Sequence, residues 1–167
     1  MKEARPTSGL VIQALFNILG PAGERSFLDL FAGSGRVGLE ASRRGFSPVC
    51  FVEISRKNAD EIEARVGKRE NMVLRMDVRR SFGYFSNKEL LFDVVFADPP
   101  YCIGWTARMA SLESRFSGII GSEGILILEH SKREMPDPGS WKEWSVSSRQ
   151  YGETILSVFK KCGKGEP

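Results

Sequence analysis

A chain of 167 residues, 41% hydrophobic and 27% charged, has the length and composition of one ordinary globular domain. No stretch approaches the roughly 18 consecutive apolar residues of a membrane span, and the start at Met1 to Pro6 carries no apolar signal core, so a cytoplasmic protein is expected. Three scattered cysteines (Cys50, Cys102, Cys162) form no C-x-x-C pair, which argues against a zinc site or a disulfide framework, and a net charge of +3 fits a nucleic-acid partner without establishing one.

In chain order, Thr7 or Ser8 caps a first helix in which Leu10, Ala14, Leu15 and Ile18 fall near helical spacing; residues 20–23 end it. Residues 27–31 read as a short buried strand interrupted only by Asp29. Gly33 and Gly35 break it, and residues 36–44 continue as a helix with Gly45 as its cap. Strands are expected at 49–53, 72–76, 90–97 and 124–129, with helices at 54–66, 78–85 and about 104–117. Residues 134–139, with Pro136 and Pro138, read as a loop. Residues 141–150 and 154–161 read as a closing antiparallel pair turning near Tyr151 and Gly152, and residues 163–167 as a tail. Strands alternating with helices predict an α/β fold: a mostly parallel sheet with helices on both faces, in one domain over residues 1–167.

In such a sheet, ligands bind beyond the carboxyl ends of the strands. The residues expected there are Gly33, Ser34 and Gly35, then Glu53, Asp77 and the tetrapeptide Asp98, Pro99, Pro100, Tyr101. A glycine turn lets backbone amides approach a ligand, and the following helix points its positive end at it. Gly33, Gly35 and Gly38 satisfy G-x-G-x-x-G, with Glu53 twenty residues beyond Gly33, so both an NAD site and an S-adenosylmethionine site fit the pattern. Glu53 is suited to a ribose diol. Asp77 suits an adenine amino group, or else caps the helix that follows it.

The two prolines hold the chain extended and remove N–H donors, so carbonyls and the Asp98 carboxylate make a cluster of acceptors. Tyr101 adds a ring on which a planar base can stack. An exocyclic amino group on a nucleobase fits this description: acceptors at both N–H bonds localise its lone pair for methylation, and no metal is needed. Asp29, buried in an apolar strand, needs donors and is expected to order the glycine turn or meet a ligand amine. His130, the single histidine, reads as a structural or rim residue. The basic pairs are mostly solvated faces, with Arg79-Arg80 and Lys132-Arg133 as candidates for phosphate contacts.

With these residues in place, the chain resembles the bacterial 16S rRNA guanine-N2 methyltransferases (the RsmD-like group) among the Rossmann-fold S-adenosylmethionine-dependent enzymes. The matching segments are Arg5-Pro-Thr7 with Ala14-Leu-Phe-Asn17, Leu28-Asp-Leu-Phe-Ala-Gly-Ser-Gly35, Gly38-Leu-Glu-Ala41, Arg44-Gly45, Phe51-Val-Glu53, Asp98-Pro-Pro-Tyr101, Glu129-His130 and Tyr151-Gly152. The resemblance implies a Rossmann-like, mostly parallel seven-stranded sheet with an antiparallel C-terminal pair. It implies S-adenosylmethionine as methyl donor and a guanine N2 amino group of 16S rRNA, in the small ribosomal subunit or its assembly intermediate, as acceptor. By position, Ala32, Gly33, Ser34 and Gly35 hold the methionine part, Glu53 the ribose and Asp77 the adenine. Asp98, Pro99, Pro100 and Tyr101 hold the flipped guanine, and Arg5 and Thr7 close over the cofactor as part of a covering segment at residues 1–25. A monomer is the favoured state. Two features depart from the family: its basic N-terminal hairpin has no counterpart in the four residues ahead of Arg5, and Arg36 and Arg43 are atypical of its helix. RNA docking is then expected on other surfaces or on a preceding segment. The rival readings are a DNA adenine-N6 methyltransferase, for which no segment is long enough to be a target-recognition insert, an NAD(P)-dependent oxidoreductase, and a non-catalytic RNA-binding factor.

Overall fold

The computed structural model describes residues 8–67, 70–100 and 104–162. Helix α1 (Gly9–Leu19) is capped by Ser8, whose Oγ accepts the Val11 N–H at 3.3 Å. There follow β1 (Phe27–Asp29), α2 (Arg36–Arg43), β2 (Val49–Val52), α3 (Arg56–Val66), β3 (Met72–Leu74), α4 (Val78–Asn87), β4 (Phe92–Ala97), α5 (Trp105–Ser111), α6 (Glu113–Ile119), β5 (Ile120–Ser131), β6 (Trp144–Tyr151) and β7 (Thr154–Lys161). The strands form one sheet of order β3-β2-β1-β4-β5-β7-β6, parallel except where β7 pairs with β5 and with β6.

Burial on both faces explains why β1, β2 and most of β4 are continuously apolar. One face carries Phe27, Phe51, Val94 and Phe96 under Leu15, Phe16 and Ile62 of the helices α1 and α3. The other carries Leu28, Val95, Leu126 and Leu128 under Phe82, Phe85, Met109 and Phe116 of α4, α5 and α6. The chain leaves β1 for β2 on one side and returns to β4 on the other. The crevice between β1 and β4 is therefore the point where the direction of winding switches, the general location of ligands in such sheets.

Three elements differ from the sequence reading. The helix expected over 104–117 is two helices meeting at Leu112. Ser111 donates its hydroxyl back to the Arg108 carbonyl at 2.7 Å, a local bond that bends helices. Strand β5 starts four residues early, at Ile120, because its register on β4 jumps from Phe92–Ile120 to Val94–Ile125 and absorbs the polar stretch around Glu123 in a bulge. Trp141 is not in a strand: it is buried beside the Phe159 ring, 4.4 Å between centroids, and β6 begins at Trp144.

Candidate active site at the carboxyl ends of the strands

Just beyond β1 the chain turns through residues 30–35. The Ala32 N–H donates to the Val52 carbonyl at 3.0 Å, tying the turn to β2. Gly33 (φ +53°) and Gly35 (φ +75°) lie in the left-handed region, which is why glycine stands at both. Gly38 serves packing instead: a Cβ there would sit 2.2 Å from the Phe51 ring, so only glycine lets α2 lie this close on β2.

Two acids fix the turn. Glu53, buried at the end of β2, accepts the Gly33 N–H on Oε2 at 2.7 Å and the Ser55 N–H on Oε1 at 2.6 Å. An ionised carboxylate has about four acceptor positions, so roughly two remain for ligand hydroxyls. Asp29, 2% exposed, accepts the Gly38 N–H in the first turn of α2 at 2.9 Å. Burial pushes its carboxyl up to about 7; the Gly38 N–H opposes this, and the negative charges of Asp98 and Glu53 add to it. Asp98 follows β4 directly and is half-buried, with Pro99 buried and Pro100 exposed behind it. The Leu30 N–H donates to the Phe96 carbonyl at 2.9 Å, joining the two sides of the crevice. The glycine turn and Asp98, Pro99 and Pro100 thus share one end of the sheet, with the Asp98 and Glu53 carboxylates both acting on Asp29 there.

Asp77 is more occupied than its assigned role suggests. It caps α4, its Oδ1 accepting the Arg79 N–H at 2.8 Å, and the Arg79 guanidinium donates to both oxygens at 2.9 and 2.8 Å. That guanidinium holds the Asp77 carboxyl down at about 2. Arg79, a candidate for phosphate, therefore spends its side chain on Asp77, and Lys132 pairs with Glu153 at 2.6 Å. Arg5, Thr7, Tyr101 and Cys102 lie outside the described residues.

Sequence reasoning missed the setting of His130. The residue is 1% exposed and bonds the Ser131 carbonyl through Nδ1 at 2.9 Å and Ser157 Oγ through Nε2 at 2.8 Å. A carbonyl only accepts, so Nδ1 carries the proton and Nε2 accepts from Ser157, whose oxygen takes a bond from Ser148 at 2.7 Å. Burial pushes the imidazole pKa down, keeping it neutral. The only sequence signal was Ser157 in an otherwise apolar strand. Cys50 is buried and its thiol is pushed up to about 12 by that burial, which makes it inert. Among the described residues no cluster of metal-ligating side chains occurs. A cleft of about 1260 Å³ bordered by Ile120, Gly124 and Lys160 lies at the opposite, amino-terminal end of β5 and takes no part in this site.

The strand order, the glycine turn and the acids beyond β1, β2 and β4 define the Rossmann-like methyltransferase class. The structure described as "Putative methyltransferase yhhF from Escherichia coli" shares this fold at a TM-score of 0.76, with 24% identity over 96% of this chain and 89% of that one. The family model described as conserved hypothetical protein 95 matches residues 1–160, and the chain belongs to that family of RsmD-like methyltransferases. Among its relatives, the Bacillus subtilis protein named "Putative rRNA methyltransferase YlbH" is 31% identical over 96% of this chain and 90% of its own length. The Escherichia coli "Ribosomal RNA small subunit methyltransferase D" is 26% identical over 97% of this chain and 82% of its own.

Proposed function

We propose that the protein is an S-adenosylmethionine-dependent rRNA methyltransferase that modifies the exocyclic N2 amino group of a guanine in 16S rRNA of the small ribosomal subunit. The observation that carries the reading is the meeting of Asp29, Glu53 and Asp98 at the glycine turn. Mutual repulsion among three carboxylates is relieved by a cationic ligand and worsened by an anionic one. S-adenosylmethionine carries a sulfonium and an ammonium and fits; the pyrophosphate of NAD(P) does not. When bound, it supplies a methyl group activated on sulfur.

The chain's own residues orient and deprotonate. The turn at Ala32, Gly33, Ser34 and Gly35 and the positive end of α2 seat the ligand's carboxylate. Glu53 takes the ribose hydroxyls with its remaining acceptor capacity, and Asp77 the adenine edge. Asp98 and the carbonyls of its proline pair accept both N–H bonds of the guanine amino group, which favours a pyramidal nitrogen with a localised lone pair. Asp98 or water then takes the proton that the alkylated nitrogen releases. Tyr101 stacks on the base, and flipping costs a few kcal/mol, least in a loop.

The test offers labelled S-adenosylmethionine with unmodified 30S subunits, naked 16S rRNA and duplex DNA in parallel, followed by nucleoside analysis. N2-methylguanine from subunits or rRNA is the expected product; N6-methyladenine in DNA overturns the substrate assignment. Asp98→Ala should abolish transfer at saturating cofactor while costing less cofactor affinity than Glu53→Ala, and a wild type that binds cofactor and modifies nothing supports a non-catalytic role.

A further inference from the structure

A second concave surface lies outside the catalytic end. A cleft of about 670 Å³ opens between α1, α2 and α3 and is lined by Arg36, Arg43, Arg44 and Arg65, with Glu40 as its one acid. Four arginines against one glutamate leave +3, which equals the net charge of the whole chain. The larger cleft at the amino-terminal end of β5 also sums to +3, from Arg25, Lys142, Arg149, Lys160 and Lys161 against Glu123 and Glu143, but it lies at the opposite end of the sheet from Asp98.

The four arginines line one surface, on which Arg43 and Arg44 share the Glu40 carboxylate. Arg36 and Arg43 are two turns apart on one face of α2, about 10 Å along the axis. Glu40 sits between them, its side chain only 14% exposed, and accepts from both the Arg43 and the Arg44 guanidinium groups. One carboxylate thus orients two cations and neutralises one. Each guanidinium has five N–H donors, and the Arg43 side chain is 78% exposed, so most of its donors face outward. Arg44 is further fixed over the Phe16 ring at 4.7 Å. Arg65 reaches from α3 to the Ser34 carbonyl at 3.4 Å, so one arginine of the cleft touches the glycine turn. Planar forked donors in a concave, positively charged setting match phosphate oxygens, and a row of them matches successive phosphates of a strand.

We infer that this cleft docks the phosphate backbone of the substrate RNA, holding a strand against α2 while the target base enters beside Asp98. The inference rests on the RNA methyltransferase reading. Its test measures binding of a protein-free 16S rRNA transcript by filter retention across a KCl series, for wild type, Arg43→Ala, the double variant Arg36→Ala/Arg43→Ala, and Glu40→Gln. Each lost arginine should weaken binding several-fold and flatten the salt dependence by about 0.7–1 per phosphate contact. Glu40→Gln should tighten binding, because it removes the only negative charge. Thermal melts and S-adenosylmethionine titrations should match wild type for Arg43→Ala, which lies away from the glycine turn, and this separates docking from folding and cofactor loss. Wild-type affinity and slope in the double variant overturn the docking surface while leaving the RNA substrate standing. A wild type that does not retain rRNA at any salt, on 30S or transcript, overturns both.

Discussion

Replacing Asp29 by Asn should stabilise the free protein at neutral and alkaline pH while weakening its hold on the cofactor. Asn keeps a side-chain carbonyl to accept the Gly38 N–H and differs only in being unable to ionise. In the unfolded chain Asp29 titrates at its ordinary 3.8, and in the folded protein at about 7. Between those values the native state binds the extra proton, so this group's contribution to stability falls as pH rises and is fully lost above about pH 7. At about 1.4 kcal/mol per pH unit, the loss reaches at most about 4 kcal/mol. For a chain of this size that corresponds to on the order of 10 °C in melting temperature. Melting curves of wild type and Asp29→Asn at pH 5, 6, 7 and 8, at fixed ionic strength and without cofactor, check it. The variant should already lead by about 1–2 kcal/mol at pH 5, where Asp29 is ionised in the unfolded chain and neutral in the folded one, and should gain steadily on wild type towards pH 8. Parallel profiles across that range would show that Asp29 ionises without cost, and the argument from carboxylate repulsion would fall.

The same carboxyl should govern ligand affinity. S-adenosylmethionine binding by wild type should weaken about tenfold from pH 8 to pH 6 as Asp29 takes up a proton, and calorimetric titration should show a much flatter profile for Asp29→Asn. Gly38→Ala drives a Cβ to 2.2 Å from the Phe51 ring and should cost about 1–3 kcal/mol or more in urea unfolding; an unchanged midpoint would mean that α2 slides freely on β2. Ser157→Ala leaves the buried Nε2 of His130 without its donor and should cost about 1–3 kcal/mol, against little for the exposed Ser148→Ala. Equal unfolding midpoints for these two serine variants would refute the directed hydrogen-bond chain.

Most of the fold was legible because the dominant signals are local. The strands expected at 27–31, 49–53 and 90–97 are mostly apolar runs, and the observed strands at 27–29, 49–52 and 92–97 fall within about two residues of those bounds. What was not legible depends mostly on partners distant in sequence, with one local exception. The break at Leu112 comes from a serine hydroxyl bonding backwards, which the apolar spacing of residues 104–117 does not encode. The early start of β5 needs the bulge against Phe92 and Val94, and a polar stretch around Glu123 reads as a loop until that partner is known. His130 read as a structural or rim residue, and its Ser157 partner cannot be assigned before β5 and β7 are paired.

The candidate site shows the same division with more consequence. The spacing Gly33, Gly35, Gly38 and Glu53 fits a dinucleotide and a sulfonium nucleoside equally, because both need a glycine turn, a helix start and an acid for a ribose. The glycines do not discriminate: Gly33 and Gly35 serve backbone conformation and Gly38 serves packing. Charge discriminates, and it arises from residues 29, 53 and 98, which only the sheet brings together at adjacent strand ends. Two of the three spend backbone-facing oxygens on the turn itself, Asp29 on Gly38 and Glu53 on Gly33, so the acids that shape the loop are the acids that select what enters it. A site built this way cannot exchange its cation preference for a pyrophosphate by changing one side chain. Truncating Asp29 or Glu53 to Ala removes a charge together with the hydrogen bond that positions Gly38 or Gly33, whereas truncating Asp98 removes a charge and the acceptor facing the substrate. The loss of cofactor affinity should therefore be larger for Glu53→Ala than for Asp98→Ala, and the loss of methyl transfer at saturating cofactor larger for Asp98→Ala.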